Sequence, residues 1–270
     1  MANERPTRVI DFDGTVTDVQ QEAADYLAAY REQAAHKLAM TPDILDMIIP
    51  LARKEILKKP GIHGWEVNGL IVAPATADVY LFNRAIIRKI WQHLEPGFEG
   101  IGVALDELHQ NSYDRAGTAF RDHALEFVTE LHRSGKLVVV TNSETKKVKE
   151  KLATLLGGED HGIEVVGNAK KYLVDPAWEG LPLSVTPPGF PRPVYLRRPH
   201  YHAVLEGLNP VSAVIGDVYE LDLAVPEHLG ITTVLVTTPD MTPDWEINHY
   251  QNHDNGFTSG SLGEILGKLT

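Results

Sequence analysis

Cysteine is absent from this 270-residue chain. That excludes disulfides, thiolate metal sites and a cysteine nucleophile. Positive charge is scarce as well: 25 Lys and Arg stand against 37 Asp and Glu, a formal net charge of −12. A surface that acidic suits neither nucleic acid nor anionic lipid, although a local basic pocket for a small anion is compatible with it. No apolar run approaches the ~20 residues that span a bilayer. The opening Met1-Ala2-Asn3-Glu4-Arg5-Pro6 carries no apolar signal region ahead of the first strand. The expectation is a soluble, cytoplasmic protein with no nucleic-acid or membrane partner. What is present is ordinary for a globular chain, with 43% hydrophobic and 23% charged residues. Disorder, collagen and coiled coil are therefore poor descriptions, and the length suits one large domain or two modest ones.

Strands and helices alternate along the chain. Thr7 to Ile10, Leu137 to Val140, Ile163 to Val166, Val211 to Ile215 and Ile231 to Val236 read as short buried strands. Between them lie helical stripes such as Phe120, Ala124, Phe127, Val128 and Leu131, and Val148, Leu152, Leu155 and Leu156. Ser143 is placed to cap the second of these, and Ser261 opens a final helix. Continuous apolar strands separated by helices predict an α/β fold, a doubly wound parallel-sheet core. The stretch from about Val19 to Tyr113 is mainly helical. Thr41-Pro42 marks one helix start and Thr76 another, with Gly61 to Ala75 irregular between them. The expected organisation is a core of residues 1–18 and 114–270 with an inserted helical domain of residues 19–113. Asp175 to Pro199 is a proline-rich excursion that either covers a sheet edge or forms a homodimer contact.

Open parallel sheets bind ligands at the carboxyl ends of their strands. After the first strand stand Asp11-Phe12-Asp13-Gly14-Thr15; after Val140, Thr141-Asn142-Ser143; after Val166, Gly167-Asn168-Ala169-Lys170-Lys171; after Ile215, Gly216-Asp217, with Asp222 five residues on. If these ends are neighbours, several carboxylates converge with small polar side chains and a lysine. Such carboxylates repel one another unless a cation lies among them. A hard divalent ion, Mg²⁺ for preference, suits their oxygens. Its charge lets an anionic phosphate approach an anionic nucleophile. Thr141, Asn142, Lys170 or Lys171 and backbone N–H groups can hold phosphate oxygens. Asp11 could attack phosphorus, and Asp13 could protonate the leaving oxygen and later activate water. Gly14 lets the backbone turn tightly beside the phosphate.

Asp11-Phe12-Asp13-Gly14-Thr15-Val16-Thr17-Asp18 resembles the first motif of the haloacid dehalogenase-like superfamily. Thr141-Asn142-Ser143 resembles its second motif, Lys170 or Lys171 its third, and Gly216-Asp217 to Asp222 its fourth. The helical stretch after the first motif resembles a cap at this superfamily's first cap position. The resemblance implies Asp11 as nucleophile and Asp13 as general acid and base, with Lys170 preferred narrowly over Lys171 as the catalytic lysine. It implies Thr141, Asn142, Lys171 and Gly14 around the phosphate, and Asp11, Asp13, Asp217 and Asp222 around Mg²⁺. Asp222 would support the metal or orient the lysine. Arg197-Arg198-Pro199 stands where many relatives carry Lys-Pro, so either arginine competes for the third motif. The dehalogenases lack an aspartate at the Asp13 position, so its presence points to phosphate esters or phosphoryl transfer, and the expected function is hydrolysis of a small phosphomonoester. A phosphomutase with the same aspartyl-phosphate, or a non-catalytic phosphate binder of the same fold, are the alternatives. His63 and Trp65, on an irregular loop, are the better specificity candidates of the helical insertion. His200-x-His202 has a pairing that transition metals use, but in a chain with 12 histidines the expectation is that it binds none.

Overall fold

The computed structural model describes residues 7–158, 162–251 and 253–269. Along the chain, β1 (Thr7–Ile10) is followed by helices α1 (Val19–Glu22), α2 (Ala24–Lys37) and α3 (Pro42–Leu57). A hairpin, β2 (Gly64–Val67) and β3 (Leu70–Pro74), precedes α4 (Val79–Leu94) and α5 (Ile101–Tyr113). Next come α6 (Ala124–Ser134), β4 (Lys136–Val140), α7 (Thr145–Leu155), β5 (Glu164–Val166) and the short pair β6 (Ser184–Val185) and β7 (Val194–Tyr195). The chain ends with α8 (Pro199–Gly207), β8 (Val211–Gly216), α9 (Ala224–His228), β9 (Thr232–Val236), α10 (Asp244–Tyr250), β10 (Gly256–Ser259) and α11 (Leu262–Leu269).

The main sheet has six strands in the order β10-β9-β8-β1-β4-β5, with every neighbouring pair parallel. Val9 lies opposite Val138 of β4 on one side and Val214 of β8 on the other. Alternation along the strands divides the apolar residues between two faces. Val9, Val138, Val140, Val214 and Leu235 pack with Tyr201 and Leu205 of α8 and with Leu223. Ile10, Leu137, Val139, Ile215 and Val234 pack with Phe127 and Leu131 of α6, Val148 of α7 and Ile265 of α11. Helices therefore cover both faces, and the fold is a doubly wound α/β sheet. From β1 the chain winds outward through β4 to β5, then returns to β8 and winds the other way. The reversal leaves a crevice at the carboxyl ends of β1 and β8.

The structure separates into two compact units. One takes in the residues up to Asp18, Glu66–Ala73 and everything from Phe120 on; the other comprises Val19–Trp65 and Pro74–Ala119. Residues 66–73 thus belong with the sheet although the surrounding chain does not. Their tie is backbone recognition: Arg198 Nη2 donates to Val72 O at 2.8 Å, and Arg192 Nη1 donates to Ile71 O at 3.3 Å. The stretch read as irregular is this hairpin. Its turn is Asn68-Gly69, both at positive φ, the pair that a two-residue hairpin favours.

In the helical unit, Tyr26 and Tyr30 of α2, Leu45 and Ile56 of α3, Phe82, Ile86 and Ile90 of α4, and Leu105 and Leu108 of α5 form one core. Thr41 caps α3 as the sequence predicts, accepting from Ile44 N at 3.4 Å. Thr76 does not cap α4. Residues Ala75–Ala77 form a 3₁₀ turn, and the cap passes to Asp78, which accepts from Leu81 N at 2.8 Å. Ser143 likewise caps nothing: α7 begins after Glu144, without a side-chain cap. No described helix is long and apolar enough to cross a membrane.

Candidate active site

Strand pairing and a tight turn build the first wall of the crevice. Asp11 N donates to Ile215 O at 2.8 Å, which carries the β1–β8 ladder one residue past β1. Phe12 is fully buried on the α6 side of the sheet. Alternation directs Asp11 and Asp13 away from it. Phe12 O then accepts from Val16 N at 2.9 Å and Thr17 N at 3.2 Å, and Gly14 N donates to Thr17 Oγ1 at 3.2 Å. Gly14 sits at φ +86°, and a Cβ there would lie 2.1 Å from Asp217 Oδ2. The glycine is required twice, by its backbone angle and by the carboxylate against it. Gly14→Ala should therefore displace Asp217 and cost about 1–3 kcal/mol of stability. Thermal melts would test this. A midpoint below that of the parent protein is expected, and an unchanged midpoint would contradict it.

The second wall comes from β4 and β5. Thr141 N donates to Val166 O at 3.0 Å, extending the β4–β5 ladder. Thr141 Oγ1 accepts from Ser143 N at 3.1 Å and donates to Asp13 Oδ2 at 3.4 Å. Lys151 of α7 places Nζ 3.2 Å from Asp13 Oδ1. Asn142 Oδ1 accepts from Lys171 N at 2.7 Å. Asn168 and Lys170 both stand at positive φ, and this double kink leaves Lys170 exposed and turns Lys171 inward. The structure thus brings Lys171, not the narrowly preferred Lys170, to the carboxylates. The Lys171 ammonium lies 2.5 Å from Asp11 Oδ1 and 2.6 Å from Asp222 Oδ1, with 1% of the side chain exposed.

The two arginines that rivalled the lysines do other work. Arg198 is wholly buried and donates to Tyr195 O, Lys171 O and Val72 O, so it props up the lysine's own backbone. Arg197 donates to Leu181 O at 3.0 Å and to Pro176 O. His202 pairs with Glu206 at 3.3 Å and packs on Trp178, so His200-x-His202 forms no metal group among the described residues.

Gly216 and a π-helical turn over Tyr219–Leu223 supply the third wall. Asp222 Oδ2 accepts from Val218 N at 3.1 Å, and Asp222 O accepts from the Tyr201 hydroxyl at 2.7 Å. Asp217 Oδ1 accepts from Thr15 Oγ1 at 3.3 Å. Carboxylate oxygens of Asp11, Asp217 and Asp222 all lie within 4.8 Å of one another.

This concentration of charge is visible in proton affinities. Burial alone would push the Lys171 ammonium down, but Asp11 and Asp222 outweigh it and hold the group above the usual lysine range. Burial, and then repulsion from Asp222, pushes the Asp217 carboxyl up to about 7, against the lowering effect of Arg121 and Lys171. One ammonium does not offset the carboxylates around it. Three hard oxygen donors with surplus negative charge fit a divalent ion such as Mg²⁺.

Sequence reasoning missed Lys151 and Arg121. Arg121 Nε donates to Gly14 O at 2.7 Å, Nη1 to Thr237 O at 3.3 Å, and Nη2 to Thr238 Oγ1, so it pins the acidic turn. Lys151 carried a faint signal, since α7 follows directly on Thr141-Asn142-Ser143. Arg121 carried none.

A family model described as haloacid dehalogenase-like hydrolase matches residues 7–181. No curated protein matches the chain by sequence. Among solved structures, the HAD-hydrolase YfnB of Bacillus subtilis, a structure bound to magnesium, is 16% identical with a TM-score of 0.54, covering 99% of each chain. A predicted phosphoglycolate phosphatase of Haemophilus somnus is 14% identical with a TM-score of 0.53, covering 100% of each chain. A protein of Thermotoga maritima assigned as a beta-phosphoglucomutase is 17% identical with a TM-score of 0.50, covering 98% of each chain. At these identities the likeness is one of fold.

Proposed function

The chain belongs to the haloacid dehalogenase-like hydrolases, and from that premise we propose that it is a Mg²⁺-dependent phosphomonoesterase that works through an aspartyl-phosphate on Asp11. The observation that carries this reading is the second carboxylate. A halide leaves carbon as a stable anion and needs no proton, whereas the alkoxide of a phosphate ester does. Asp13 is oriented by the Thr141 hydroxyl, 3.4 Å from Oδ2, and the Lys151 ammonium, 3.2 Å from Oδ1.

In this mechanism an Asp11 oxygen attacks phosphorus as the ester P–O bond breaks, and Asp13 gives its proton to the departing oxygen. Asp13, now a carboxylate, takes a proton from water. That water attacks the phosphorus of the aspartyl-phosphate, which frees inorganic phosphate and restores Asp11. Lys171, 2.5 Å from Asp11 Oδ1, orients the nucleophile and offsets its charge. Thr141 and the Asn142 amide would hold phosphoryl oxygens. Asp11, Asp217 and Asp222 are the residues that would hold Mg²⁺, and the resemblance implies a backbone carbonyl at Phe12 or Asp13 beside them. The ion, when bound, neutralises the charge that builds up on the phosphoryl group. Lys170, being exposed, has no part in the reaction.

The test is phosphate release from a panel of phosphorylated metabolites, with Mg²⁺ and with chelator. Release that requires the metal is expected. No release from folded protein would overturn the reading, and an isomeric sugar phosphate without sustained release would make the protein a mutase. Asp13→Asn sharpens the assay. Read as release of the leaving group in a single turnover, before the aspartyl-phosphate is hydrolysed, it should slow alkyl phosphates about 10²- to 10⁴-fold but p-nitrophenyl phosphate much less, since that leaving group needs no proton. An equal loss on both substrates would exclude Asp13 as the acid.

A further inference from the structure

Outside the acidic crevice, the sheet-bearing unit gathers a second set of ligating side chains. Glu227 stands in α9, His249 in the last turn of α10, and His253 four residues beyond it. His249 Nε2 lies 2.9 Å from Glu227 Oε2 and 3.1 Å from Oε1, and His253 Nε2 lies 3.4 Å from Oε2. The two imidazole centroids are 5.1 Å apart. The three side chains are between 10% and 20% exposed, shielded but open to solvent on one side.

We propose that Glu227, His249 and His253 bind a divalent transition-metal ion, Zn²⁺ for preference, which clamps α10 to α9. The donor set decides the class of ion. Two imidazole nitrogens and one carboxylate oxygen suit a borderline metal, whereas the all-oxygen crevice suits Mg²⁺. The spacing agrees. Bonds of ~2.0–2.2 Å in a tetrahedron put neighbouring donors about 3.3 Å apart, and Glu227 already stands 2.9 and 3.4 Å from the two nitrogens. The fourth position falls to water. An outer-shell partner is in place as well, since the Tyr219 hydroxyl donates to Glu227 Oε1 at 3.0 Å and fixes the carboxylate.

Without metal, His249 Nε2 lies within hydrogen-bond distance of the Glu227 carboxylate, and His253 Nε2 stands slightly farther from it. A metal bound at Nε2 leaves the ring proton on Nδ1, so His253 then gives up the 3.3 Å hydrogen bond that its Nδ1 accepts from Asn255 N.

The clamp bears on the rest of the fold through Tyr219. This residue opens the π-helical turn that contains Asp222, and it stacks edge-on against His249 with centroids 4.8 Å apart. An ion here would brace that turn from behind.

Chelator-stripped full-length protein should be titrated with Co²⁺ while the visible d–d bands are recorded, and then with competing Zn²⁺. One equivalent with the intense bands of tetrahedral cobalt is expected in the wild type and in Asp217→Asn, which removes a crevice ligand. The bands should disappear in His249→Gln and in His253→Gln, and Zn²⁺ should displace the cobalt. Zn²⁺ should also raise the melting midpoint by several degrees in the wild type and not in His253→Gln, the most exposed of the three positions. Bands that survive both histidine substitutions, or that vanish in Asp217→Asn, would place the ion elsewhere and overturn the proposal. So would wild type that shows no tetrahedral band, which would make the cluster a hydrogen-bonded one.

Discussion

Asp11→Asn should abolish phosphate release, with kcat lowered about 10⁴- to 10⁶-fold, the scale on which removal of a nucleophile acts. The amide keeps the shape of the carboxylate but cannot attack phosphorus. The same substitution should leave the protein folded, and this separates chemistry from structure. Asp11 is buried, and burial, together with repulsion from Asp222, Asp217 and Asp13, raises its proton affinity despite Lys171. Neutralising it removes one member of a crowded anionic group, while Lys171 keeps Asp222 at 2.6 Å. The melting midpoint of the metal-free variant should equal or exceed that of the wild type. Single-turnover phosphate release checks the first expectation and calorimetry the second. A stable variant that still turns over would remove Asp11 from the nucleophile's place.

Lys171→Met should act chiefly on stability. Methionine fills a similar length but leaves Asp11, Asp222 and Asp217 facing one another in a buried site. Removing one partner from a buried ion pair costs about 3–5 kcal/mol. For a chain of this size that is roughly 10 °C in melting midpoint. The effect should be pH-dependent with a definite sign. Carboxyls whose proton affinity is raised on folding bind protons more tightly in the native state, so stability grows as pH falls and is lost as pH rises. Asp217 already stands at about 7 with the lysine present. The deficit of the variant should therefore be largest near pH 8, shrink toward pH 5, and be partly restored at pH 8 by Mg²⁺. Lysine itself is charged throughout that window in folded and unfolded chains alike, so it adds no slope of its own. A variant that melts with the wild type at pH 8 without metal would show that Lys171 is not what balances the carboxylates. Lys171→Arg should not rescue it, since a planar fork does not fit between two oxygens that close to one point charge.

Much of this site was legible along the chain because its parts are short-range. Asp11-Phe12-Asp13-Gly14 is a strand end and a turn, and periods of two and of three to four residues place strand ends without any tertiary information. The winding rule for parallel sheets then brings Asp11, Thr141 and Asp217 together. The irregular segments were not legible. Thr76 and Ser143 are sound cap residues by type, but an added 3₁₀ turn and a late helix start moved the caps past them. The Asn68-Gly69 hairpin belongs with the sheet because Arg192 and Arg198, more than a hundred residues later, hold its carbonyls.

The alternation of strands and helices, the doubly wound core and the residue types at the strand ends are all readable along the chain, because each follows from periodicity and local turn chemistry. Which of Lys170 and Lys171 faces the carboxylates is a matter of packing. Adjacent residues in an aperiodic loop have no face of their own. Left-handed turns at Asn168 and Lys170, the Asn142 side chain holding Lys171 N, and two buried carboxylates in want of a cation chose the second. The same holds for Glu227, His249 and His253, which are scattered over 27 positions and meet because α9 and α10 pack on one face of the sheet.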